Sequence, residues 1–380
     1  MIIKYVSFLF ILICLQAHRA EAKFPENANL LPAAANYERD SDCSEISPPP
    51  VFFVNGQQGP ASRKGTEPLR PPDGLRTPVS QGEADLCFAY ASAEGVTQRT
   101  GVNVSALDVA TTYFFGDVDA VVDTKNAALR NELAASYPGV DLAAKIQLDR
   151  ASVELLGTLA DQNPAHAYID VLAGGEETSA ILMANAKGLC SDRDLPSDDG
   201  FKNHEQVLAS FKTQVATGFA HVKPAVAGVG FYDAAAKAVN AMWTQYVDQR
   251  CKRVPNSIPL LSIGYSAAED LEHWRKMESK AKATAEMYAR IDYALNNGRV
   301  PIVSMDWYIL EDPDGTDGTH DATIIGRKKV HGICHYLMRD NVNEPCENLH
   351  DKFQQRCNNG HIWLTESELA ETMFGVTYLR

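Results

Sequence analysis

The pattern of apolar and polar positions divides the chain into a helix-rich region followed by a strand-rich region. Apolar residues recur with helical spacing in the segments 87–98, 127–160, 179–187 and 201–299. From Val300 the spacing becomes that of short strands separated by turns, in the segments 301–305, 321–326, 335–338 and 361–364. Helices followed by a run of strands predict an α+β fold.

The last helix of the 201–299 block has sequence signals at both ends. Residues 266–269 read Ser-Ala-Ala-Glu, a capping-box pattern in which the serine hydroxyl and the glutamate carboxylate satisfy free backbone amides. Asn297 and Gly298 are typical of the left-handed cap that ends a helix.

The N-terminal region contains a predicted leader and a predicted arm. Residues 1–22 combine Lys4, an apolar run and a small-x-small cleavage site, which is the pattern of a secretory signal peptide and predicts a secreted or periplasmic protein. The apolar run is shorter than the ~20 residues of a membrane-spanning helix, so no stable membrane insertion is expected. Residues 23–75 are rich in Pro, Gly and polar residues, which predicts an extended arm or a removable pro-segment. Within them, residues 51–54 predict a strand that ends in an Asn-Gly turn.

Net charge and cysteine content restrict the range of possible functions. A formal net charge of −14 argues against nucleic-acid binding, which uses a basic surface. Cys14 lies in the predicted leader, so 8 − 1 = 7 cysteines remain. An exported protein usually pairs its cysteines, and an odd number leaves one for an intermolecular bridge or a reactive thiol. The count does not decide which cysteine that is, although the short separation favours a Cys346–Cys357 bridge.

Cys87 is the candidate nucleophile. It stands where a loop changes to helical periodicity, and the positive end of a helix dipole stabilises a thiolate. Gln81 lies six residues earlier, and its side-chain amide can stabilise an oxyanion together with the Cys87 backbone N–H. The alternative role for Cys87 is that of a structural cysteine at the start of a core helix.

His320 is the candidate base that such a thiol needs. It follows the turn-rich segment 312–319 and begins a strand-like segment, which distinguishes it from the other histidines outside the leader. Segment 312–319 lacks the spacing of a calcium-binding loop and is predicted to be a solvated loop. Cys334, between His331 and His335, is predicted to form a disulfide rather than a metal site. Neither a metal nor a cofactor is therefore expected.

Segment 81–90 resembles the active-site motif of papain-like cysteine peptidases, Gln-Gly-x-Cys-Gly-Ser-Cys-Trp-Ala-Phe. Gln81, Gly82, Cys87 and Ala89 match that motif, whereas Ala84 replaces a disulfide cysteine of the family. Residues 320–326 are similar to the family's His-Ala-Val-x-x-Val-Gly block.

The resemblance implies the remaining site residues. Residues 336–343 are similar to the family block Tyr-x-x-Lys-Asn-Ser-Trp-Gly, which assigns the residue that orients the imidazole to Asp340, with Asn341 as the alternative. Gly174 and Gly175 resemble the glycine pair that lines the family's substrate cleft.

The resemblance also implies a two-lobed papain-like fold. A helical lobe at 76–200 carries the nucleophile, and a β lobe at 300–380 carries the histidine and Asp340 or Asn341. The separation of Cys87 from His320 is 320 − 87 = 233 residues, longer than the roughly 130–150 usual in the family, so 201–299 is interpreted as a large helical insertion.

The expected function is that of a secreted cysteine peptidase that forms an acyl-thioester on Cys87. Its expected partners are protein or peptide substrates and peptidase inhibitors. Two alternatives use the same fold. One is a weakly active or inactive binding protein, which the Asp85-Leu86 pair and Val342 in place of the family's tryptophan permit. The other is an acyl or peptidyl transferase, in which an amine replaces water as the acceptor.

Overall fold

A computed structural model of the 380-residue chain describes residues 39–54, 69–81, 86–117, 175–197, 202–218, 229–254, 262–266, 280–307, 310, 318–342 and 346–379. Its helices are α1 (Cys87–Thr100), α2 (Ala106–Phe115), α3 (Glu177–Lys187), α4 (Lys202–Gly218), α5 (Val229–Arg250), α6 (Lys280–Asn296), α7 (Asp351–Gln354) and α8 (Glu366–Thr372). Its strands are β1 (Ser262–Ser266), β2 (Ile302–Asp306), β3 (Thr319–Val330), β4 (Ile333–Arg339), β5 (Cys357–Asn358), β6 (His361–Thr365) and β7 (Met373–Leu379). The predicted leader 1–22 and the predicted helix 127–160 lie outside the described residues.

The strands form one antiparallel sheet in the order β1-β7-β2-β3-β4-β6-β5. The four strand segments predicted from the sequence correspond to β2, β3, β4 and β6, which confirms them. Strand β3 is central, because it pairs with β2 on one side and with β4 on the other. The fold is therefore α+β, as predicted.

Two apolar clusters account for most of the described core. One joins α1, α2, α3 and α5 around aromatic side chains such as Phe88, Tyr113 and Trp243. The other packs α6 against the sheet, with Met287 and Ile291 facing strand residues such as Met305. Helix α1 also packs against β3, so it connects the helical cluster with the sheet. No described helix has both the length and the apolar character needed to cross a membrane.

The sequence predicted helices throughout the 201–299 block, but the structure also contains a strand there. Residues Ser262–Ser266 form strand β1, which pairs antiparallel with β7 at the edge of the sheet. Ser266, the predicted helix cap, is therefore the last residue of a strand, and residues 267–279 lie outside the described part. The edge of β7 supplies backbone partners that the local sequence pattern does not reveal. At the other end of the block, Gly298 has φ +64°, as the predicted left-handed cap requires.

The predicted strand at 51–54 is also wrong. Residues Pro50–Phe52 form a 3-10 turn, and Phe53 pairs with Leu75 only through an isolated bridge. Proline lacks the N–H that a strand ladder needs, so the segment turns instead. Phe52 and Phe53 are buried against the sheet.

The described residues contain three disulfides, Cys43–Cys334, Cys190–Cys251 and Cys346–Cys357. The predicted Cys346–Cys357 bridge is confirmed, and so is the disulfide assigned to Cys334. Cys87 is the cysteine of the described residues that takes part in no disulfide. This pattern is compatible with an oxidising compartment.

Arg327 of β3 ties the N-terminal arm to α6. Its guanidinium donates to Asp292 Oδ1 at 2.5 Å, to Asp40 Oδ2 at 2.6 Å and to Asn296 Oδ1 at 2.8 Å. Its Nε donates to the backbone carbonyl of Ser44 at 3.0 Å. Burial raises the pKa of Asp292 although Arg327 opposes the shift, so this carboxylate depends on its partner.

We expect Arg327→Met to lower the free energy of unfolding by about 3–5 kcal/mol, because it leaves Asp292 buried without its cation. Chemical denaturation monitored by circular dichroism measures the change. Lys329→Met on the same strand is the control, since Lys329 is exposed and its change is expected within about 0.5 kcal/mol. Equal effects of the two substitutions would contradict the role of Arg327 as the cation that stabilises the buried Asp292 carboxylate.

Candidate functional site

Cys87 is the first residue of α1, as the sequence predicted. Leu86, the residue at the helix N-cap, is buried, whereas Cys87 is partly exposed. The backbone amides of the first helical turn lie beside the thiol, and their partial positive charge favours the thiolate.

Gly175 packs against the residue that follows Cys87. A Cβ atom at Gly175 would lie 2.7 Å from the ring of Phe88, so only glycine fits without movement of that ring. Gly174, the other predicted cleft residue, lies outside the described residues. Of the two predicted cleft glycines, the structure therefore places Gly175 at the start of α1.

His320 and Asp340 form a buried pair where strand β3 begins and strand β4 ends. His320 is the second residue of β3, Asp340 directly follows β4, and the two side chains are 5% and 2% exposed. His320 Nε2 lies 2.8 Å from Asp340 Oδ1. Nδ1 of His320 makes no hydrogen bond within the described part of the chain. This arrangement sets Nε2–H as the donor to the carboxylate and leaves the Nδ1 lone pair as a proton acceptor.

Trp307 contacts the imidazole and was missed by the sequence reasoning. Its ring centroid lies 4.7 Å from that of His320 in an edge-on arrangement. Met305 of β2 pairs with His320, and the Trp307 N–H donates to the carbonyl of Gly318, so the strand register places Trp307 beside the imidazole. Such a ring shields the imidazole from solvent. The signal was available, because Trp307 lies two residues after the strand predicted at 301–305.

The turn after β4 holds Asp340 in place. Asp340 Oδ1 also accepts from the Val342 N–H at 3.0 Å, and the Asp340 N–H donates to the Gly360 carbonyl at 2.8 Å. Gly360 has φ +72°, and a Cβ there would lie 3.1 Å from the Asp340 carbonyl oxygen. The position of Asp340 is thus fixed by its own turn and by the turn between β5 and β6 that contains Gly360.

Asn341, the alternative orienting residue, faces helix α1 rather than His320. With the amide oriented to satisfy both neighbours, its side-chain nitrogen donates to Glu94 Oε1 at 3.2 Å and its side-chain oxygen accepts from the Ala91 N–H at 3.1 Å. The described geometry therefore pairs His320 with Asp340 and uses Asn341 to contact α1.

Gln81 is held next to this turn by its backbone. Its N–H donates to the carbonyl of Asn341 at 2.9 Å. The side chain is 6% exposed, and its Oε1 accepts no hydrogen bond from the described residues. Residues 82–85, which connect Gln81 to Leu86, lie outside the described part.

Arg339, which directly precedes Asp340, contacts His361 of β6. Arg339 Nη1 lies 2.9 Å from His361 Nε2, and His361 Nδ1 lies 3.2 Å from the carbonyl oxygen of Asn358. Burial, reinforced by the charge of Arg339, lowers the pKa of His361 to about 3. His361 is therefore neutral, with Nδ1–H as donor and Nε2 as acceptor.

A second acidic group lies beside His320 in sequence. Asp321 is buried, and its burial, with the charge of Glu177 adding to the effect, raises its pKa well above the ordinary value. Glu177 of α3 accepts from Thr377 Oγ1 at 2.6 Å. Burial thus favours the neutral form of Asp321 over its carboxylate.

The other described histidines have structural contacts. His204 bridges Tyr246 and the Pro196 carbonyl, and His335 bonds the Ile333 carbonyl. His350 caps α7, and His331 lies in the turn between β3 and β4. These contacts leave His320 as the described histidine that combines a buried carboxylate partner with an open ring nitrogen.

In one group of described residues, the potential ligand atoms lie close enough together to bind a metal ion. The group consists of Asp108, Cys190 and Cys251. The two sulfur atoms form a disulfide, and Asp108 pairs with Arg253 at 2.7 Å. Neither thiolate ligands nor an unpaired carboxylate are available there, so the group is structural.

No protein-family model matches this sequence, and no curated protein matches it. Among solved structures, the chain is similar to PepW from Lactobacillus rhamnosis HN001 (DR20), with a TM-score of 0.37 and 10% sequence identity. The similarity covers 80% of this chain and 79% of that chain.

We expect His361 to make the protein less stable in acid. The unfolded histidine binds a proton near pH 6.5, whereas the folded one does so only near pH 3, so the unfolded state binds more protons between these values. The free energy of unfolding therefore falls as the pH drops from about 6.5 to about 3. Urea denaturation across this range measures the slope, which is expected to be smaller in His361→Gln. An unchanged slope would contradict a neutral His361.

Proposed function

We propose that this chain is an exported cysteine peptidase of the papain-like type that hydrolyses peptide bonds through Cys87. The observation that carries the proposal is the buried hydrogen bond between His320 Nε2 and Asp340 Oδ1 at 2.8 Å, while Nδ1 makes no hydrogen bond to the described residues. A reactive thiol needs a base that is oriented in this way. The thiol at the start of α1, on a helix that packs against the strand of His320, supports the same function.

In this mechanism His320 Nδ1 takes the proton of Cys87, and the thiolate attacks the carbonyl carbon of the peptide bond. The Cys87 backbone N–H and the Gln81 side-chain amide donate to the oxyanion. The tetrahedral intermediate collapses as the imidazolium protonates the leaving amine, which leaves an acyl-thioester on Cys87. Water, deprotonated by His320, then attacks the thioester and releases the acid and the thiol. No cofactor takes part in these steps.

Asp340 acts through the imidazole. By accepting the Nε2–H it holds the ring with Nδ1 towards the thiol and stabilises the imidazolium that forms. Trp307 covers the ring and keeps water from competing for this hydrogen bond. Trp307 thus supplies a tryptophan beside the imidazole, although Val342 replaces the tryptophan of the family block.

The location and domain organisation belong to the same proposal. The three disulfides support export to an oxidising compartment, secreted or periplasmic. Residues 39–54 are interpreted as a permanent arm rather than a removable pro-segment, because Cys43 is bonded to Cys334 and Phe53 is buried in the core. Proteins or peptides are the proposed substrates, and peptidase inhibitors are proposed as further partners.

We expect iodoacetamide at near-neutral pH to alkylate Cys87 much faster than an unperturbed thiol, because the helix dipole and His320 favour the thiolate. Peptide mapping identifies the modified residue, and Cys87→Ala is expected to abolish both alkylation and hydrolysis. His320→Ala is expected to lower the hydrolysis of a peptide library by roughly 10²–10⁴-fold. His335→Ala, a histidine with a structural contact, is the matched control.

The outcomes separate the alternatives. Ordinary reactivity of Cys87 and no hydrolysis would overturn the peptidase and favour a binding protein on the same fold. Fast alkylation, with product formed mainly when an amine acceptor is added, would favour a transferase.

We expect Asp340→Asn to retain more activity than Asp340→Ala, which is expected to lose it by roughly 10²-fold or more. An amide oxygen still accepts from the imidazole N–H and orients the ring, although it lacks the charge that stabilises the imidazolium. Values of kcat and KM for the two variants test the expectation. If both substitutions lower kcat equally, the negative charge of Asp340 is required, and orientation alone is not its function.

A further inference from the structure

Glu94 lies on the same face of α1 as Cys87. The two residues are seven positions apart, which corresponds to about two helical turns and about 10.5 Å along the axis. Residues at this spacing project in nearly the same direction. Any group that holds Glu94 therefore also limits how α1, and with it Cys87, can move against the sheet.

The Glu94 carboxylate contacts both strands that carry the proposed base and its partner. Its Oε2 accepts from Thr323 Oγ1 at 2.8 Å, and Thr323 lies three residues after His320 on β3. Its Oε1 accepts from Arg339 Nε at 2.7 Å, and Arg339 directly precedes Asp340. Asn341, directly after Asp340, donates to the same Oε1 at 3.2 Å. One carboxylate thus bonds to Thr323 on the strand of His320 and to both sequence neighbours of Asp340.

The ion pair between Glu94 and Arg339 is largely shielded from water. Their side chains are 14% and 6% exposed. Nη1 of Arg339 makes two further contacts, because it donates to the Arg76 carbonyl at 2.5 Å and to His361 Nε2. A planar guanidinium fixed at three points holds its partner in one geometry, which a flexible ammonium does not.

We propose that Glu94 and Arg339 are positioning residues that set the distance between the Cys87 thiol and the His320–Asp340 pair. This inference rests on the proposed function of that site. The pair touches none of the reacting atoms. It acts by locking α1 to β3 and β4, and an error of about 1 Å in such a distance can lower a rate roughly 10²-fold.

The test uses Glu94→Gln, which keeps the shape of the side chain and removes its charge. Expected are a kcat lowered roughly 10²-fold with KM changed less than about twofold, because binding does not depend on the thiol–imidazole distance. The pH dependence of Cys87 alkylation is expected to move towards higher pH, since a more distant imidazolium stabilises the thiolate less. A merely structural pair would not move this profile.

The matched control is the Arg356–Glu368 pair. It is also a partly buried Arg–Glu pair, with contacts of 2.7 and 2.8 Å, and shares no hydrogen-bond partner with Glu94, His320 or Asp340. Arg356→Met is expected to lower the thermal midpoint and to leave the alkylation profile unchanged. Should Glu94→Gln fail to fold, Thr323→Val removes only the hydroxyl that bonds Oε2 and is expected to shift the profile in the same direction by less.

A second readout separates this inference from the proposed function. The imidazole resonances of His320 report its titration whether or not the protein hydrolyses anything. If the wild type has no reactive thiol but Glu94→Gln changes the His320 titration, the positioning stands and the peptidase is overturned. A folded Glu94→Gln with an unchanged alkylation profile and an unchanged His320 titration overturns the positioning.

Discussion

The packing of α1 against β3 is the contact on which the candidate site depends. The helix brings Cys87 and the strand brings His320, and no chain connection shorter than two hundred residues joins them. Apolar packing alone allows a helix to slide over a sheet by fractions of an ångström, because dispersion forces are not directional. The buried carboxylate of Glu94 adds directed bonds to Thr323 and Arg339, and these define one position along the helix axis.

Strand β3 is held from both faces, and a bulge makes this possible. The register with β4 shifts between Ile324 and Gly326, so one extra residue is inserted there. Thr323 and Arg327 are an even number of positions apart and would share a face in a regular strand. With the bulge, Thr323 contacts α1 whereas Arg327 contacts α6 and the arm. The strand that carries His320 is therefore fixed between the two apolar clusters rather than on one of them.

Local signals in the sequence predicted much of the fold and the identity of the candidate residues. The helix at Cys87 and the strands β2, β3, β4 and β6 follow from periodicity, because each segment buries a face of its own. Strand β1 does not, since a short edge strand owes its conformation to the partner it meets. Trp307 and the Glu94–Arg339 pair depend on strand register and helix docking, which a one-dimensional pattern does not contain. The pairing of His320 with Asp340 came from family likeness, and its catalytic role stays a prediction.

The Cys43–Cys334 disulfide spans 291 residues, and this has a consequence for how the chain folds. When a chain emerges from its N-terminus, Cys43 and Cys87 are exposed together long before Cys334 is available. A Cys43–Cys87 bridge formed at this stage is non-native and blocks the thiol. A chain with that bridge reaches the native pairing only through thiol–disulfide exchange that releases Cys87 and transfers Cys43 to Cys334. Disulfide isomerisation, on a scale of seconds to hours, is then expected to limit the yield of protein with an open Cys87 thiol.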